Sequence, residues 1–359
     1  MAHILKHPTD KIRGIIVFTH KEMRFFKRSA IVPFLNYSKH LRKIREKYFV
    51  GAHFGGWRID LYDFCEFVDF AMLTESAAAK LRDRRAPFII PLVSRNFTPE
   101  IFCAGDQEGR FWDILCVSSN SRVKNLDLFL REVKKIYEAG HKLRILLISP
   151  VRKNEERGNK YYNSLERDYI ENFTPAEREL FTLHRPGAFH GFLGMSQTAL
   201  SHWYRSSKVF TLFSVEEGGS KVISEALLSG LKIVVKRDLD GGGRDYLNDD
   251  NAVCFQDFDV AWKALIEAVE HYKEYRPDLA SLRDNLGEEG SLSKLKTHFA
   301  TLFGTHGCVF DNELINVERL NLRLPAHMSE GIPWGAGYDR TSDILTRKQF
   351  SIFLQHLRL

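Results

Sequence analysis

Short runs of apolar and β-branched residues alternate with longer amphipathic stretches along this chain. The alternation is typical of α/β proteins with parallel sheets, because a helix carries the chain back between successive strands. The runs that predict strands are residues 14–19, 48–52, 70–74, 88–91, 112–117, 144–148, 188–191, 209–213, 232–235 and 252–255. Residues 125–139 predict a helix, since their apolar side chains recur every three or four positions and form one face.

The spacing of these strands also predicts how the chain divides into domains. A polar stretch at residues 105–110 is the predicted linker, with four strands before it and six evenly spaced strands after it. We therefore predict a short N-terminal Rossmann-like domain at residues 1–105, a full Rossmann-like domain at 106–300 and a tail at 301–359. Three arrangements stay open: the N-terminal domain is minimal, the tail packs back on it and completes it, or another chain completes it.

Composition and cysteine usage favour a cytoplasmic globular protein. Of the 359 residues, 44% are apolar, which is enough to bury a substantial core. No apolar run approaches the roughly 20 residues that span a bilayer, and the first residues lack the apolar stretch of a secretory signal. The five cysteines are scattered and odd in number, which fits reduced thiols and argues against a disulfide framework or a zinc site.

Positive charge is concentrated in the first part of the chain. The net charge is +6, yet residues 1–60 hold 13 lysines and arginines against four acidic residues, a balance of +9. The remainder is therefore close to neutral, at −3. A basic first segment on a near-neutral body indicates an anionic partner for that segment. The alternative is a solvated basic face that binds nothing.

The stretch EEGGSKVISEALLSG, residues 216–230, carries the clearest candidate chemistry. It follows an apolar run and predicts a strand, a turn at 214–219 and a helix that Ser220 caps and Gly230 ends. Glu217 then lies at the carboxyl end of a strand, where open α/β sheets bind ligands. The backbone N–H groups at the start of that helix suit an anion, and Glu225 can accept hydrogen bonds from hydroxyl groups.

A ligand with hydroxyls at both ends and a diphosphate between them matches this arrangement, and a sugar nucleotide fits that description. The alternative is an ordinary capped helix with a solvent-facing glutamate. The spacing alone does not choose between the two.

Residues 110–275 resemble the C-terminal domain of the glycosyltransferase family 4 enzymes. The match is complete for Glu217, the seven intervening residues, Glu225 and the glycine at 230. FHGFLGMSQTALSHWYRSSKVFTLFS resembles the stretch that precedes the first glutamate, including Tyr204 in its helix, and IVVKRDLDGGGRDYLNDDNAVCF resembles the stretch that follows the second. The strand WDILCV and its turn SSNSRVKN resemble the opening of that domain, where the family has an arginine followed by a lysine five residues later. Lys124 matches the lysine, whereas Ser119 occupies the arginine position and Arg122 offers a second cation.

The N-terminal part resembles the same family over shorter stretches. EKYFVGAHFGG resembles the strand whose final histidine stands beside the reacting sugar, and His53 takes that position. GIIVFTHKE resembles an earlier strand that also ends in histidine, here His20. Family members begin with two or three further βα units and a glycine-rich first loop, which this chain lacks.

The resemblance implies the GT-B fold, with two facing Rossmann-like domains, parallel sheets and a reduced N-terminal domain. It also implies transfer of a sugar, with retention of configuration, from a UDP- or GDP-linked donor to a glycan or lipid-linked glycan acceptor. No further cofactor is implied. The site residues that the resemblance implies are His53, Glu217 and Lys124 for catalysis, and Gly218, Gly219, Ser220, Lys221, Glu225, Ser119 and Arg122 for the donor.

Three other readings of the sequence stay open. Asp238-Leu239-Asp240 has the form of a metal-binding Asp-x-Asp triplet, although we expect transfer without a divalent ion because Lys124 and backbone donors already meet the diphosphate charge. A chain that binds sugar nucleotide without transferring the sugar until a partner joins it would account for the short N-terminal domain and Ser119. The basic first 60 residues leave a transferase acting on nucleic acid as the third reading, although no RNA-binding or helix-turn-helix motif supports it.

Residues 21–47 combine nine lysines and arginines with two glutamates and several interleaved apolar residues. Such a segment suits a helix or loop on an anionic membrane surface, where each cation contributes on the order of 1 kcal/mol. We therefore predict a cytoplasmic enzyme that is peripheral at the inner membrane face and extends a cell-surface glycan. The alternative is that the phenylalanines of this segment are core residues and its cations are only solvated.

Overall fold

We describe the protein from a computed structural model, which covers residues 2–19, 37–53, 68–81, 88–104, 109–151, 164–186 and 195–321. The chain forms two compact units. Unit 1 contains residues 1–97 together with 288–359, and unit 2 contains residues 98–287.

The helices alternate with the strands, as the hydrophobic pattern predicts. In chain order they are α1 Tyr37–Lys47, α2 Glu75–Leu81, α3 Leu126–Glu138, α4 Ser164–Asn172, α5 Pro175–Leu180, α6 Gln197–Arg205, α7 Lys221–Leu228, α8 Ala261–Glu270, α9 Leu279–Leu286 and α10 Glu288–Thr305.

Unit 1 is built on a five-stranded sheet. Its strands are β1 Ala2–Lys6, β2 Gly14–Thr19, β3 Tyr48–His53, β4 Phe70–Met72 and β5 Phe88–Ile90, and they lie side by side in chain order. Strands β2 to β5 are parallel, whereas β1 pairs antiparallel with β2. A segment after α10 covers β1, because the Ile315 amide donates to the Leu5 carbonyl over 2.8 Å. The outer strand of this sheet is thus paired on its open side.

Helix α10 supplies much of the core of unit 1. Its residues Phe299 and Phe303 are fully buried, and their rings lie 5.3 Å from that of Phe70 and 4.7 Å from that of Phe49, respectively. The helix therefore packs on a sheet formed by residues that precede it by more than 200 positions.

Unit 2 is built on a six-stranded, wholly parallel sheet. Its strands are β6 Trp112–Val117, β7 Ile145–Ile148, β8 Phe181–His184, β9 Ser207–Leu212, β10 Lys232–Lys236 and β11 Ala252–Phe255. They lie in the order β11-β10-β9-β6-β7-β8, which is the order of a doubly wound Rossmann fold. The chain reverses its direction of winding between β6 and β9.

Both faces of this second sheet are buried. Along β6, Ile114 and Cys116 join one core, with α3 and α8, while Leu115 and Val117 join the other, with α6 and α7. The strands are continuous apolar runs for this reason, since alternate side chains enter different cores and neither face meets water.

The fold confirms the predicted class, α/β with parallel sheets. Nine of the predicted strands overlap observed ones, and helix α3 lies within its predicted range. The predicted strand at 188–191 lies outside the described residues. Strand β8, which ends before that range, follows α5 directly and has no glycine or proline to mark its start.

The boundaries between the two units lie at other residues than the sequence predicts. The predicted borders are at residues 105 and 300, whereas the units divide after Phe97 and before Glu288. Two contacts account for the difference. The Thr98 amide donates to the Leu286 carbonyl over 3.0 Å within unit 2, and α10 packs its aromatic residues on the sheet of unit 1. Of the predicted tail, the described residues 301–321 belong to unit 1.

No helix in the described ranges is both long enough and apolar enough to cross a bilayer.

Candidate functional site

Strands β6 and β9 are neighbours at the centre of the unit 2 sheet, where the winding reverses. Open α/β sheets bind their ligands just outside the carboxyl ends of the strands at this point. Two loops meet there: residues 118–125, which lead from β6 to α3, and residues 213–220, which lead from β9 to α7. Both loops contain residues that the sequence assigns to the site.

The first loop places Lys124 at the end of a single 3-10 turn, Arg122–Lys124. The next residue, Asn125, has a φ of 47°, in the left-handed region that asparagine tolerates better than most residues. Its side-chain amide donates to the Phe213 carbonyl over 2.9 Å. The backbone beside Lys124 is thereby tied to the end of β9.

The two loops are joined by an ion pair between Lys124 and Glu217. The ammonium of Lys124 bonds Oε1 of Glu217, and 20% and 9% of the two side chains remain exposed. The Ser214 hydroxyl donates to the same Oε1 over 2.7 Å. This carboxylate therefore accepts both of its hydrogen bonds from described residues on one oxygen, Oε1. Its second oxygen, Oε2, is left for a ligand.

The loop after β10 fixes the backbone of Glu217. The Glu217 amide donates to the Asp240 carbonyl over 2.9 Å, and the Asp240 amide donates to the Val215 carbonyl over 3.0 Å. Gly243 lies against the Glu217 side chain so closely that an added Cβ would stand 2.9 Å from the Cβ of Glu217. The carboxylate is thus held by residues from both neighbouring loops.

Helix α7 begins one residue after Ser220, as predicted, and Gly230 follows its end with a φ of 74°. The Ser220 hydroxyl, however, makes no capping hydrogen bond to the helix, so it does not occupy the first amides of α7. Gly218, Gly219 and Lys221 are half-buried beside them. The backbone amides at a helix start attract an anion.

Glu225 lies inside unit 2 and not on the solvent side of α7. It is 1% exposed, and the Tyr204 hydroxyl donates to its Oε2 over 3.2 Å. A buried carboxylate with a hydroxyl donor is a polar centre within an apolar core, which costs free energy unless its hydrogen bonds are made. The reading of Glu225 as the solvent-facing residue of an ordinary helix is therefore wrong.

The remaining predicted residues differ in how far they are buried. Ser119 is half-buried and Arg122 is exposed on the β6 loop. His53 is the last residue of β3 in unit 1, is 4% exposed and pairs in register with Thr19 and Met72. The other predicted strand-end histidine, His20, lies outside the described residues.

The structure also defines the surroundings of Cys116 and of the Asp-x-Asp triplet. Burial raises the pKa of the Cys116 thiol in β6, so it stays neutral and acts as a core residue. Asp238 of the Asp-x-Asp triplet is exposed and bonded to Lys236, while the Asp240 carboxylate accepts from the Gly241 amide over 2.7 Å. Across the described parts of the chain, no group of three or more histidine, cysteine or acidic residues could hold a metal ion.

Residues 112–272 match the family model described as glycosyl transferases group 1. That range contains both loops of the site, from Ser119 to Glu225, and excludes His53. No curated protein matches the sequence at a significant level.

Several solved structures share the fold at low sequence identity. The pneumococcal O-GlcNAc transferase GtfA, in complex with UDP and GlcNAc, is 13% identical with a TM-score of 0.52, over 74% of this chain and 55% of that one. Sucrose-phosphate synthase from Thermosynechococcus elongatus is 12% identical with a TM-score of 0.56, over 73% of this chain and 70% of that one. An α,α-trehalose-phosphate synthase (UDP-forming) from Burkholderia vietnamiensis is 15% identical with a TM-score of 0.53, over 73% and 71%. The chain spans about half the length of the first of these structures.

Sequence reasoning missed the residues that hold the site together. Ser214, Asn125 and Gly243 each contact the candidate residues or their backbone; the partners of Asn125 and Gly243 are distant in the chain, whereas Ser214 lies three residues from Glu217. The only local signal was the run of small and polar residues at the ends of β6, β9 and β10, which marks ligand-facing loops in this fold.

Proposed function

We propose that this chain is a retaining glycosyltransferase that moves a sugar from a nucleotide-sugar donor to a glycan or lipid-linked glycan acceptor. One observation carries the proposal: Lys124 and Glu217 meet at the switch point of a Rossmann fold, next to the start of α7. A cation, the first amides of a helix and a carboxylate within one small region match a diphosphate joined to a hydroxyl-rich ring.

In this reaction the nucleoside diphosphate leaves and gains negative charge. The Lys124 ammonium and the first amides of α7 would stabilise that charge from fixed positions, which is the kind of interaction that lowers a barrier most. The free Oε2 of Glu217 would accept hydrogen bonds from hydroxyls of the donor sugar. The Lys124–Glu217 pair keeps the carboxylate oriented before the donor arrives.

The remaining roles follow the resemblance. Glu225 would bind the ribose, which requires the ligand to reach a carboxylate that is 1% exposed here. Ser119 and Arg122 would line the diphosphate from the β6 loop, and the resemblance assigns to His53 a contact with the donor sugar. UDP appears in the names of two of the similar structures, and we take a UDP-sugar as the first donor to test.

Calorimetry and thermal shift against UDP- and GDP-linked sugars test the proposal. A donor at about 100 times its dissociation constant should stabilise the folded chain by about 2.7 kcal/mol. Lys124→Ala and Glu225→Ala should weaken donor binding, whereas Glu217→Ala should lower turnover more than affinity. NMR of the product should show the anomeric configuration of the donor. Unchanged donor binding in all three variants would contradict the site, and an inverted product would contradict retention.

A sugar-nucleotide-binding subunit is the second candidate. Ser119 favours it, because the family pattern has an arginine at this position and the loss of that cation weakens charge stabilisation in the leaving group. Such a chain would bind the donor as proposed, yet neither transfer nor hydrolyse it alone. Turnover by the purified chain with a suitable acceptor decides against this candidate.

The acceptor side includes the basic first segment, for which we propose an anionic membrane surface. In the described part of that segment, Arg42, Lys43 and Lys47 of α1 are exposed, while Ile44 is buried in unit 1. Arg45 instead pairs with Asp69 over 2.8 Å. Co-sedimentation with anionic and neutral vesicles tests this: equal binding to both at low salt would end the membrane proposal, and a shift of duplex DNA would favour nucleic acid.

A further inference from the structure

The carboxylate of Glu217 has one contact that the proposed function does not use, the hydrogen bond from Ser214. Ser214 is 1% exposed, and its hydroxyl donates to Oε1 of Glu217 over 2.7 Å. Lys124 bonds the same oxygen. Two donors on one oxygen fix the rotation of a carboxylate, because a turn about its last bond would break both hydrogen bonds.

We propose that Ser214 is a positioning residue that holds the Glu217 carboxylate with Oε2 toward the donor sugar. This inference rests on the proposed function of the site, and it assigns the orientation of Glu217 to a neutral hydroxyl. Lys124 alone would not suffice for this task, since its ammonium is also drawn to the diphosphate and would leave Oε1 when a donor binds. Ser214 carries no charge and keeps its hydrogen bond in both states.

The loop after β10 completes this support from the opposite side. The Asp240 carbonyl accepts from the Glu217 amide over 2.9 Å, and Gly243 leaves no room for a side chain beside the Cβ of Glu217. Asp240 and Gly243 of the Asp-x-Asp-Gly-Gly-Gly stretch therefore have a structural use in this chain: both contact Glu217.

Ser207 offers a matched control for Ser214. It lies at the start of β9, is fully buried, and its hydroxyl donates to the Trp203 carbonyl over 2.7 Å. Ser207→Ala and Ser214→Ala therefore remove hydrogen bonds of the same length from similarly buried positions, at opposite ends of one strand. Only the second touches Glu217.

The first measurement is steady-state kinetics with the nucleotide sugar that gives the largest thermal shift. Ser214→Ala should lower kcat about tenfold, as expected for the loss of one hydrogen bond to a charged group, while KM changes by less than about twofold. Ser214→Thr keeps the hydroxyl and should recover most of the lost kcat. Gly243→Ala should lower kcat as well, whereas Gly109→Ala, which meets no atom within 4 Å, should not. Equal kcat values for wild type, Ser214→Ala and Ser207→Ala would overturn the inference.

The second measurement needs no activity and keeps the two proposals apart. Ser214→Ala is made in the wild type and in the Glu217→Ala variant, and urea unfolding midpoints are compared. If Ser214 holds Glu217, its removal shifts the midpoint less when Glu217 is already absent. Equal shifts in both backgrounds would overturn the inference. A wild-type chain that binds no sugar nucleotide, yet shows the unequal shifts, would instead refute the proposed function alone.

Discussion

Replacing Lys124 by methionine tests the ion pair that joins the two loops of the site. Methionine keeps most of the length and apolar stem of lysine but removes its charge. In the ligand-free chain the change leaves the carboxylate of Glu217, whose side chain is only 9% exposed, with one described donor, the Ser214 hydroxyl. Because a poorly hydrated carboxylate needs compensation, the variant should be less stable as well as weaker in donor binding.

The exposure of the two side chains sets the expected cost. Removing one partner of a fully buried ion pair costs about 3–5 kcal/mol, whereas a fully exposed pair contributes about 0–1 kcal/mol. Lys124 keeps 20% of its side chain exposed and Glu217 9%, which places the pair between these limits. We expect a loss of about 2 kcal/mol, which lowers Tm by about 4–8 °C in a domain of this size.

A double-mutant cycle with Glu217→Gln separates the pair from its surroundings. Glutamine keeps the shape of glutamate and can still accept from Ser214, but it needs no cation. In the Glu217→Gln background, Lys124→Met should therefore cost about 1–2 kcal/mol less than in the wild type, measured by urea unfolding. For donor binding the expectation differs: Lys124→Met should weaken UDP binding about ten- to a hundredfold in either background, since a charged hydrogen bond to phosphate is lost.

Two results would refute this reasoning. Additive stability losses would mean that Lys124 and Glu217 do not interact in solution. An unchanged dissociation constant for UDP in Lys124→Met would mean that this lysine does not meet the diphosphate, and the anion site would then reduce to the start of α7.

Three further expectations test other parts of the chain. Chelation with EDTA should leave transfer intact, because Asp238 is bonded to a lysine and Asp240 to the backbone; activity lost in EDTA and restored by manganese would promote both to metal ligands. Arg110→Met should destabilise unit 2 by about 2–4 kcal/mol in urea unfolding, since this buried guanidinium donates to two main-chain carbonyls that would lose their partner; a loss under about 0.5 kcal/mol, typical of surface positions, would contradict that. Glu177 is partly desolvated, which raises its pKa, but hydrogen bonds from Lys134 and the Thr174 cap outweigh this and hold it below its ordinary value of 4.5. Its contribution is therefore present above pH 4.5 and disappears as the pH falls through the lowered pKa, so the stability difference between wild type and Glu177→Gln should shrink in acid; a difference independent of pH would contradict this.

The sequence predicted unit 2 better than unit 1 for a physical reason. The strands of unit 2 are buried on both faces, and such strands are unbroken apolar runs that stand out in the sequence. In unit 1 the edge strand β1 carries His3 and Lys6 among its five residues, so it does not form an unbroken apolar run in the sequence. The helix that completes this unit, α10, lies about 200 residues later in the chain, so local patterns could not reveal which sheet it covers.

The same distinction applies to the site. Glu217 and Glu225 were found because their spacing is local to one strand–turn–helix element. Ser214 was visible in the sequence but acquires its meaning only from the direction of a hydroxyl toward Oε1, and Gly243 only from the 2.9 Å approach of two Cβ positions. The burial of Glu225 under Tyr204 likewise depends on the packing between α6 and α7. The spacing of residues within α7 does not predict it.

The contact between Lys124 and Glu217 depends on strand order more than on either loop. The two residues are 93 positions apart, and two complete βα units separate β6 from β9 in the chain. Had the sheet followed chain order, β6 and β9 would stand three strand spacings apart, about 14 Å, which is farther than a lysine side chain can bridge. Because the winding reverses, neither β7 nor β8 lies between β6 and β9, and the two loops follow the ends of adjacent strands. A cation and a carboxylate that meet at this point therefore require the doubly wound order, and the ion pair is a consequence of the topology of unit 2.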